Sequence, residues 1–97
     1  MFDCGPATTY KLVKAGISLT KIDHLFFTHH HYDHDIDYPC FLFSRWNLCI
    51  GDENELNVYG PNLTEQLTHR LIDEREGAFA HDWIARINHP LSINAFV

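Results

Sequence analysis

The feature that most constrains this chain is a cluster of metal-binding side chains that directly follows an apolar segment. Residues 22–28 include Leu25, Phe26 and Phe27 and are typical of a buried strand. Residues 29–34 then read His-His-His-Tyr-Asp-His. Open α/β sheets place their sites where such strands end, at the carboxyl edge. We therefore expect an α/β fold with a site at the end of this strand.

Four side chains of the cluster form the pattern H-x-H-x-D-H: His29, His31, Asp33 and His34. Imidazole and carboxylate groups suit zinc, iron or manganese. Along an extended backbone the side chains alternate, so His29, His31 and Asp33 should share one side while His30 turns away. His34 follows Asp33 directly and needs a bend or a first helical turn. The ligands therefore form two pairs, His29 with His31 and Asp33 with His34. Two pairs indicate two metal ions close together, as in enzymes that hydrolyse esters. A His-rich surface loop that binds metal adventitiously is the alternative.

Composition limits the class of protein. The chain has 97 residues, enough for one small domain, and its 45% hydrophobic content indicates a globular fold. Its formal charge of −6 argues against a general grip on nucleic acid by these residues alone, although bound metals can supply positive charge. Cys4, Cys40 and Cys49 lack metal-site spacing and are interpreted as reduced core residues of a cytoplasmic protein. No signal peptide or membrane span is predicted.

The rest of the chain alternates between predicted strands and helices, which favours a βαβ-like unit. Asp3 ends a first short strand and is either a residue that orients a ligand loop or an ordinary strand-end aspartate. Gly16 suits the left-handed position after the first helix, and Pro39 suits the first turn of the second. The predicted helices span 8–15 (capped by Thr8 or Thr9), 35–48, 62–75 and 82–87; a strand covers 56–59 and an apolar segment covers 91–97.

Four stretches resemble one known family. Residues 28–34 resemble the signature motif of metallo-β-lactamase-fold hydrolases, and residues 2–9 resemble the strand and turn that precede it. Residues 33–39, followed by an apolar helix and by residues 56–61 with their Tyr-Gly-Pro end, are similar to the ribonuclease Z branch. The resemblance extends from residue 2 to about residue 71.

This resemblance implies an αββα sandwich with two metal ions, usually zinc, with manganese or iron as alternatives. It implies that His29 and His31 bind the first ion, and that Asp33 and His34 bind the second. Asp33 would also be the catalytic proton acceptor. The implied activity is metal-dependent hydrolysis of a phosphodiester, as in an RNA endonuclease of tRNA processing, or of a related ester. A homodimer of the intact protein is left open, and no membrane partner is implied.

One departure from the family shapes a further expectation. The family takes another histidine, a bridging aspartate and a final histidine from the second half of its fold, and nothing in this sequence matches them. We therefore expect residues 1–97 to be a single incomplete domain lacking strands at both ends, poorly stable because its terminal strands lack partners, and nearly inactive alone. The alternative function is a non-catalytic metal-binding or partner-dependent module.

Overall fold

A small parallel sheet organises the structure. The computed structural model describes residues 1–82 and the backbone of residues 93–96. The strands β1 (His24–Phe26), β2 (Leu56–Tyr59) and β3 (Ile93–Phe96) are parallel and lie in the order β1-β2-β3. The helices are α1 (Thr8–Lys14), α2 (Tyr32–Asp35), α3 (Tyr38–Leu48) and α4 (Leu63–Ile72), with a 3₁₀ turn at Leu19–Lys21. Parallel strands require crossover connections, which α2 with α3, and then α4, occupy. The predicted α/β class is confirmed.

The hydrophobic core lies on one face of this sheet. Alternation along β1 and β2 buries Leu25, Leu56 and Val58, while Phe26 is exposed on the other face. The buried side chains join Tyr38 and others in one cluster. The remaining members of that cluster are Cys4, Leu19, Phe27, Phe41 and Leu42. This packing holds the carboxyl ends of β1 and β2 side by side.

The predicted helix at 35–48 is wrong at its start, since the structure divides it into α2 and α3. In a continuous helix the His34 carbonyl would accept from residue 38 and the Asp37 N–H would donate to residue 33. Cys4 takes both groups instead: its N–H donates to His34 O (2.7 Å) and its carbonyl accepts from Asp37 N (3.1 Å). The break therefore results from pairing with the amino-terminal segment.

The predicted cap of α1 is also wrong. The Thr8 hydroxyl donates to Gly5 O (2.7 Å), and no side chain of residues 7–9 caps the helix. A carboxylate from a distant segment takes that role, because the Thr9 N–H donates to Asp37 Oδ2 at 2.7 Å. The prediction for Gly16 is confirmed by its left-handed φ of 77°.

Two other element predictions are wrong, and a third falls almost entirely outside the described residues. The terminal strands do have partners: β3 pairs with β2, and Phe2 forms an isolated parallel bridge with Phe26. Helix α4 ends at Ile72, because the Asp73 carboxylate accepts the N–H groups of the next turn instead. The predicted helix at 82–87 lies outside the described residues apart from its first position.

Among the described residues, no helix has both the length and the apolar character needed to cross a membrane.

The three cysteines are free, but they differ in environment. Cys4 and Cys49 are buried, whereas Cys40 is exposed and is not the core residue that was expected. Burial, with a smaller contribution from the Asp37 carboxylate, raises the pKa of Cys4 to about 12. At pH 8 such a thiol is thiolate in only about one molecule in 10⁴.

Iodoacetamide at pH 8 is therefore expected to modify Cys40 and to leave Cys4 unmodified until the chain is denatured. Peptide mass spectrometry after timed labelling, with a sample in guanidinium chloride as control, measures the order of reaction. Modification of Cys4 at the rate of Cys40 would mean that the segment around residue 4 is open in solution.

Candidate metal centre

The predicted ligands lie where β1 ends. The Phe27 N–H still pairs with Tyr59 O (2.8 Å), after which the chain leaves the sheet and enters α2. We call residues 28–34 the ligand loop. Within it, His29, Asp33 and His34 each present a ligand atom, and these three atoms lie within 4.8 Å of one another. The end of a parallel strand thus carries a convergent set of metal-binding groups.

The other two histidines of the loop are placed differently. His31 is exposed; its ring centroid is 4.7 Å from that of His29, but it lies outside the convergent group. His30 points into the protein, where its side chain is 7% exposed. The convergent group therefore takes one member from the first predicted pair and two from the second. Assignment of all four residues as metal ligands remains a prediction.

Asp3 determines how His34 can bind a metal. The His34 Nδ1 lies 2.9 Å from Asp3 Oδ2. Because an ionised carboxylate only accepts, Nδ1 carries the hydrogen and Nε2 keeps its lone pair. That Nε2 lies 3.7 Å from Asp33 Oδ2, on the side of the convergent group. The hydrogen bond to Asp3, aided by nearby carboxylates, raises the pKa of His34. Such a carboxylate–histidine pair is the usual support for a metal ligand.

The same carboxylate orients His29 through Thr28. Asp3 Oδ1 accepts the Thr28 N–H (2.8 Å), and the Thr28 hydroxyl lies 2.9 Å from Asp3 Oδ2. Since that hydroxyl donates to the carboxylate, it can accept from His29 Nδ1, which lies 3.0 Å away. The Nε2 of His29 is then also free to bind a metal. Of the two interpretations of Asp3, the structure supports the residue that orients a ligand loop.

Hydrogen bonding also sets the charge of Asp3. Burial by itself raises the pKa of this carboxyl, but the Thr28 N–H and the His34 and Thr28 side chains outweigh it and leave the pKa below its ordinary value. Asp3 adopts a left-handed φ of 60°, which Asp tolerates better than most residues. Its backbone N–H donates to Phe26 O at 2.7 Å. Asp3 is thus an anion held against the end of β1.

Gly5 allows the amino-terminal segment to approach the ligand loop. A Cβ added at Gly5 would overlap the Asp33 carbonyl oxygen and would lie 3.3 Å from its carbonyl carbon. Both are backbone atoms, which cannot rotate out of the way. Neither Gly5 nor Thr28 was predicted to have a role of its own at this site. The signal in the sequence was that Asp3 and Gly5 lie at the end of a predicted strand, where residues of a site often lie.

The other histidines that the structure describes outside the ligand loop are not part of this centre. His24 lies at the start of β1 and His69 lies on an outer face of α4; both are exposed. His81 is exposed, and His89 lies outside the described residues. Within the described part of the chain, the group at residues 29, 33 and 34 is the one in which three donors converge.

The donor set is chemically suited to a divalent transition metal. Two imidazole nitrogens and one carboxylate oxygen are common ligands of zinc, manganese and iron. In a tetrahedral site with bonds of about 2.0–2.2 Å, the ligand atoms lie about 3.3–3.6 Å from one another. The three ligand atoms here lie within 4.8 Å of one another, so side-chain rotations would close the set around an ion. The residues present fit a metal site.

Comparison with known proteins identifies the family. The family "Metallo-beta-lactamase superfamily" matches residues 1–73. The chain belongs to the metallo-β-lactamase superfamily. The solved structure of the metallo-β-lactamase fold protein YhfI from Bacillus subtilis matches 99% of this chain and 33% of its own, with a TM-score of 0.63 and 22% identity. The expected partial metallo-β-lactamase fold is thereby confirmed.

Curated relatives are more similar in sequence than this structural neighbour. "Ribonuclease Z" of Pediococcus pentosaceus is 46% identical over 61 residues, which cover 63% of this chain and 19% of the relative. "Ribonuclease Z" of Listeria monocytogenes serotype 4a is 41% identical over 72 residues, which cover 73% of this chain and 23% of the relative. This chain thus spans about a fifth of the length of these relatives. The predicted resemblance to the ribonuclease Z branch is confirmed.

Proposed function

We propose that these residues form part of a metal-dependent hydrolase that cleaves a phosphodiester, with RNA as the substrate class. The observation that carries the proposal is the convergence of His29, Asp33 and His34 at the end of β1. The RNA substrate is proposed because relatives 41% and 46% identical are named Ribonuclease Z. Zinc is the proposed metal, because two imidazoles and a carboxylate are common zinc ligands.

The proposed roles follow from the hydrogen bonds around the ligand loop. His29 and His34 would bind through Nε2, since Thr28 and Asp3 occupy their Nδ1 atoms. His31 would join His29 as a further ligand after rotation of its exposed ring. Two ions with three protein ligands each need more donors than these residues supply. We therefore propose that the 97 residues bind metal weakly, catalyse little alone and form a single partial domain.

Asp33 is proposed as the group that accepts a proton during hydrolysis. Its carboxylate is exposed and lies 3.7 Å from His34 Nε2. From that position it would contact both a bound cation and the attacking water. A bound divalent ion would supply Lewis acidity that makes water nucleophilic at neutral pH and stabilises charge on the phosphoryl oxygens. Asp33 would take the proton of the attacking water, while Asp3 keeps both histidine tautomers unchanged.

The charge around the loop makes phosphate binding dependent on metal. Asp3, Asp33 and Asp35 lie in or next to the ligand loop, and the whole chain has a formal charge of −6. Without cations these carboxylates repel a phosphodiester. We therefore expect the metal-free protein to bind RNA poorly, and RNA to bind only after metal is loaded.

The test measures zinc and hydrolysis together. Zinc content is determined by elemental analysis for the chain and for the His29→Ala variant, with the exposed His69→Ala variant as a matched control. Hydrolysis of bis(p-nitrophenyl) phosphate and of a labelled RNA is measured for the chain and for the longest product of its gene. We expect zinc loss only in His29→Ala, and chelator-sensitive hydrolysis in the longest product.

Each outcome has a defined meaning. Equal zinc in the chain and in His29→Ala would contradict the metal centre. Zinc binding without hydrolysis of either substrate by the longest product would contradict the enzyme proposal and favour the non-catalytic metal-binding module.

A further inference from the structure

A buried hydrogen-bond chain joins the ligand loop to helix α4. The ring of His30 lies in the protein interior, although His30 stands between two predicted ligands in the sequence. Its Nδ1 lies 3.1 Å from Asp35 Oδ2, and its Nε2 lies 2.7 Å from Thr64 Oγ1. Thr64 is fully buried, in the first turn of α4. A residue 34 positions away thus contacts the centre of the motif.

The chemistry of the three side chains determines which group donates and which accepts in each of these hydrogen bonds. The Asp35 carboxylate accepts, so His30 carries its hydrogen on Nδ1. In the neutral ring Nε2 is then an acceptor, and the Thr64 hydroxyl donates to it. Both nitrogens of a nearly buried imidazole are satisfied, which removes the cost of burying them unpaired. The ring is therefore held at two points, one on α2 and one on α4.

A glycine makes room for this contact. A Cβ added at Gly60 would overlap Thr64 Oγ1 and would lie 3.1 Å from Phe27 Cβ. The Thr64 N–H also donates to Pro61 O at 2.9 Å. The turn after β2 thus places the Thr64 hydroxyl against the ligand loop. This gives a physical reason for glycine at position 60 of the Tyr-Gly-Pro stretch.

We propose that Thr64 is a positioning residue of the metal centre, acting through His30. His30 shares peptide bonds with His29 and His31, so fixing its ring fixes the backbone that carries both of these residues. Asp35 belongs to α2, which carries Asp33 and His34. One hydrogen-bond chain therefore ties both parts of the ligand set to the rigid helix α4. This inference rests on the proposed metal-binding function.

A purely structural role is the competing explanation, and the same helix supplies a control for it. Thr68 is also buried on α4, where its hydroxyl donates to Thr64 O (2.8 Å) and lies 2.7 Å from the Tyr38 hydroxyl. Neither of those groups belongs to the ligand loop. Thr68→Val and Thr64→Val remove the same atom from the same kind of site. Both should lower stability, but only Thr64→Val should alter metal binding.

The test is a cobalt(II) titration of the full chain followed by visible absorption, which reports both affinity and coordination geometry. In Thr64→Val we expect the apparent dissociation constant for cobalt(II) to rise about 10- to 100-fold, as is typical when the support of a metal ligand is lost. The visible bands should also change in intensity. Thr64→Ser, which keeps the hydroxyl, should restore both readouts, and Thr68→Val should match the wild-type chain.

The other outcomes overturn the inference in distinguishable ways. An unchanged dissociation constant and spectrum in Thr64→Val would show that the contact serves stability alone, as would an equal loss of affinity in Thr68→Val. If circular dichroism shows Thr64→Val to be unfolded, Asp35→Ala replaces it, because this variant removes the hydrogen bond at the other end, between Asp35 and His30. Asp35→Ala must then show the same loss of cobalt(II) affinity. Absence of cobalt(II) binding by the wild-type chain would overturn the proposed function itself, and this inference with it.

Discussion

The Asp33→Asn variant is expected to cleave a phosphodiester substrate about 10²- to 10⁴-fold more slowly while retaining nearly all of its metal. Asparagine keeps an oxygen that can bind a cation, but it cannot accept a proton. The Asp33 carboxylate is exposed and lies 3.7 Å from His34 Nε2, so it can serve both purposes. Loss of rate without loss of metal would separate the two roles.

This prediction is checked in the longest active product of the gene, with zinc measured by elemental analysis on the same samples. Asp52→Asn is the control, because Asp52 precedes β2 and therefore lies towards the amino end of the sheet, away from the centre. Full activity in Asp33→Asn would mean that another group accepts the proton. A parallel loss of zinc and rate would mean that Asp33 acts chiefly as a ligand.

The Asp3→Asn variant is expected to bind zinc about 10- to 100-fold more weakly, although residue 3 is not itself a proposed ligand. If the asparagine oxygen keeps the Thr28 N–H, its amide nitrogen faces His34 Nδ1. An amide nitrogen donates, so Nδ1 would become the acceptor and the ring hydrogen would move to Nε2. His34 would then present a hydrogen to the metal instead of a lone pair.

Zinc affinity measured by competition with a chelator indicator tests this expectation. Asp73→Asn is the matched control, since the Asp73 carboxylate also accepts two backbone N–H groups, those of Arg75 and Glu76, but lies after α4. Both variants remove one charge from a hydrogen-bonded carboxylate. Equal zinc affinity in Asp3→Asn and Asp73→Asn would show that Asp3 does not control the histidine tautomer.

The features that could be predicted are those encoded over short stretches. Alternating apolar residues predicted β2 with its observed bounds of Leu56–Tyr59. The apolar run before His29 predicted a strand that ends at the ligands, although β1 is only three residues long. Gly16 marked the end of α1, because a left-handed residue follows many helices. Each of these signals depends on neighbours within one or two turns of chain.

The features that could not be predicted depend on hydrogen bonds between distant segments. Cys4 breaks the helix that the pattern at 35–48 indicated, and Asp37 caps α1 in place of a local threonine. Asp3 orients His34 from 31 positions away, and Thr64 reaches His30 across 34 positions. No local pattern records these pairs, because each joins segments that are distant in sequence and adjacent only in the folded chain. The motif therefore predicted which residue types could bind a metal. The histidine tautomers, and the residues that orient the ligands, were decided by tertiary packing.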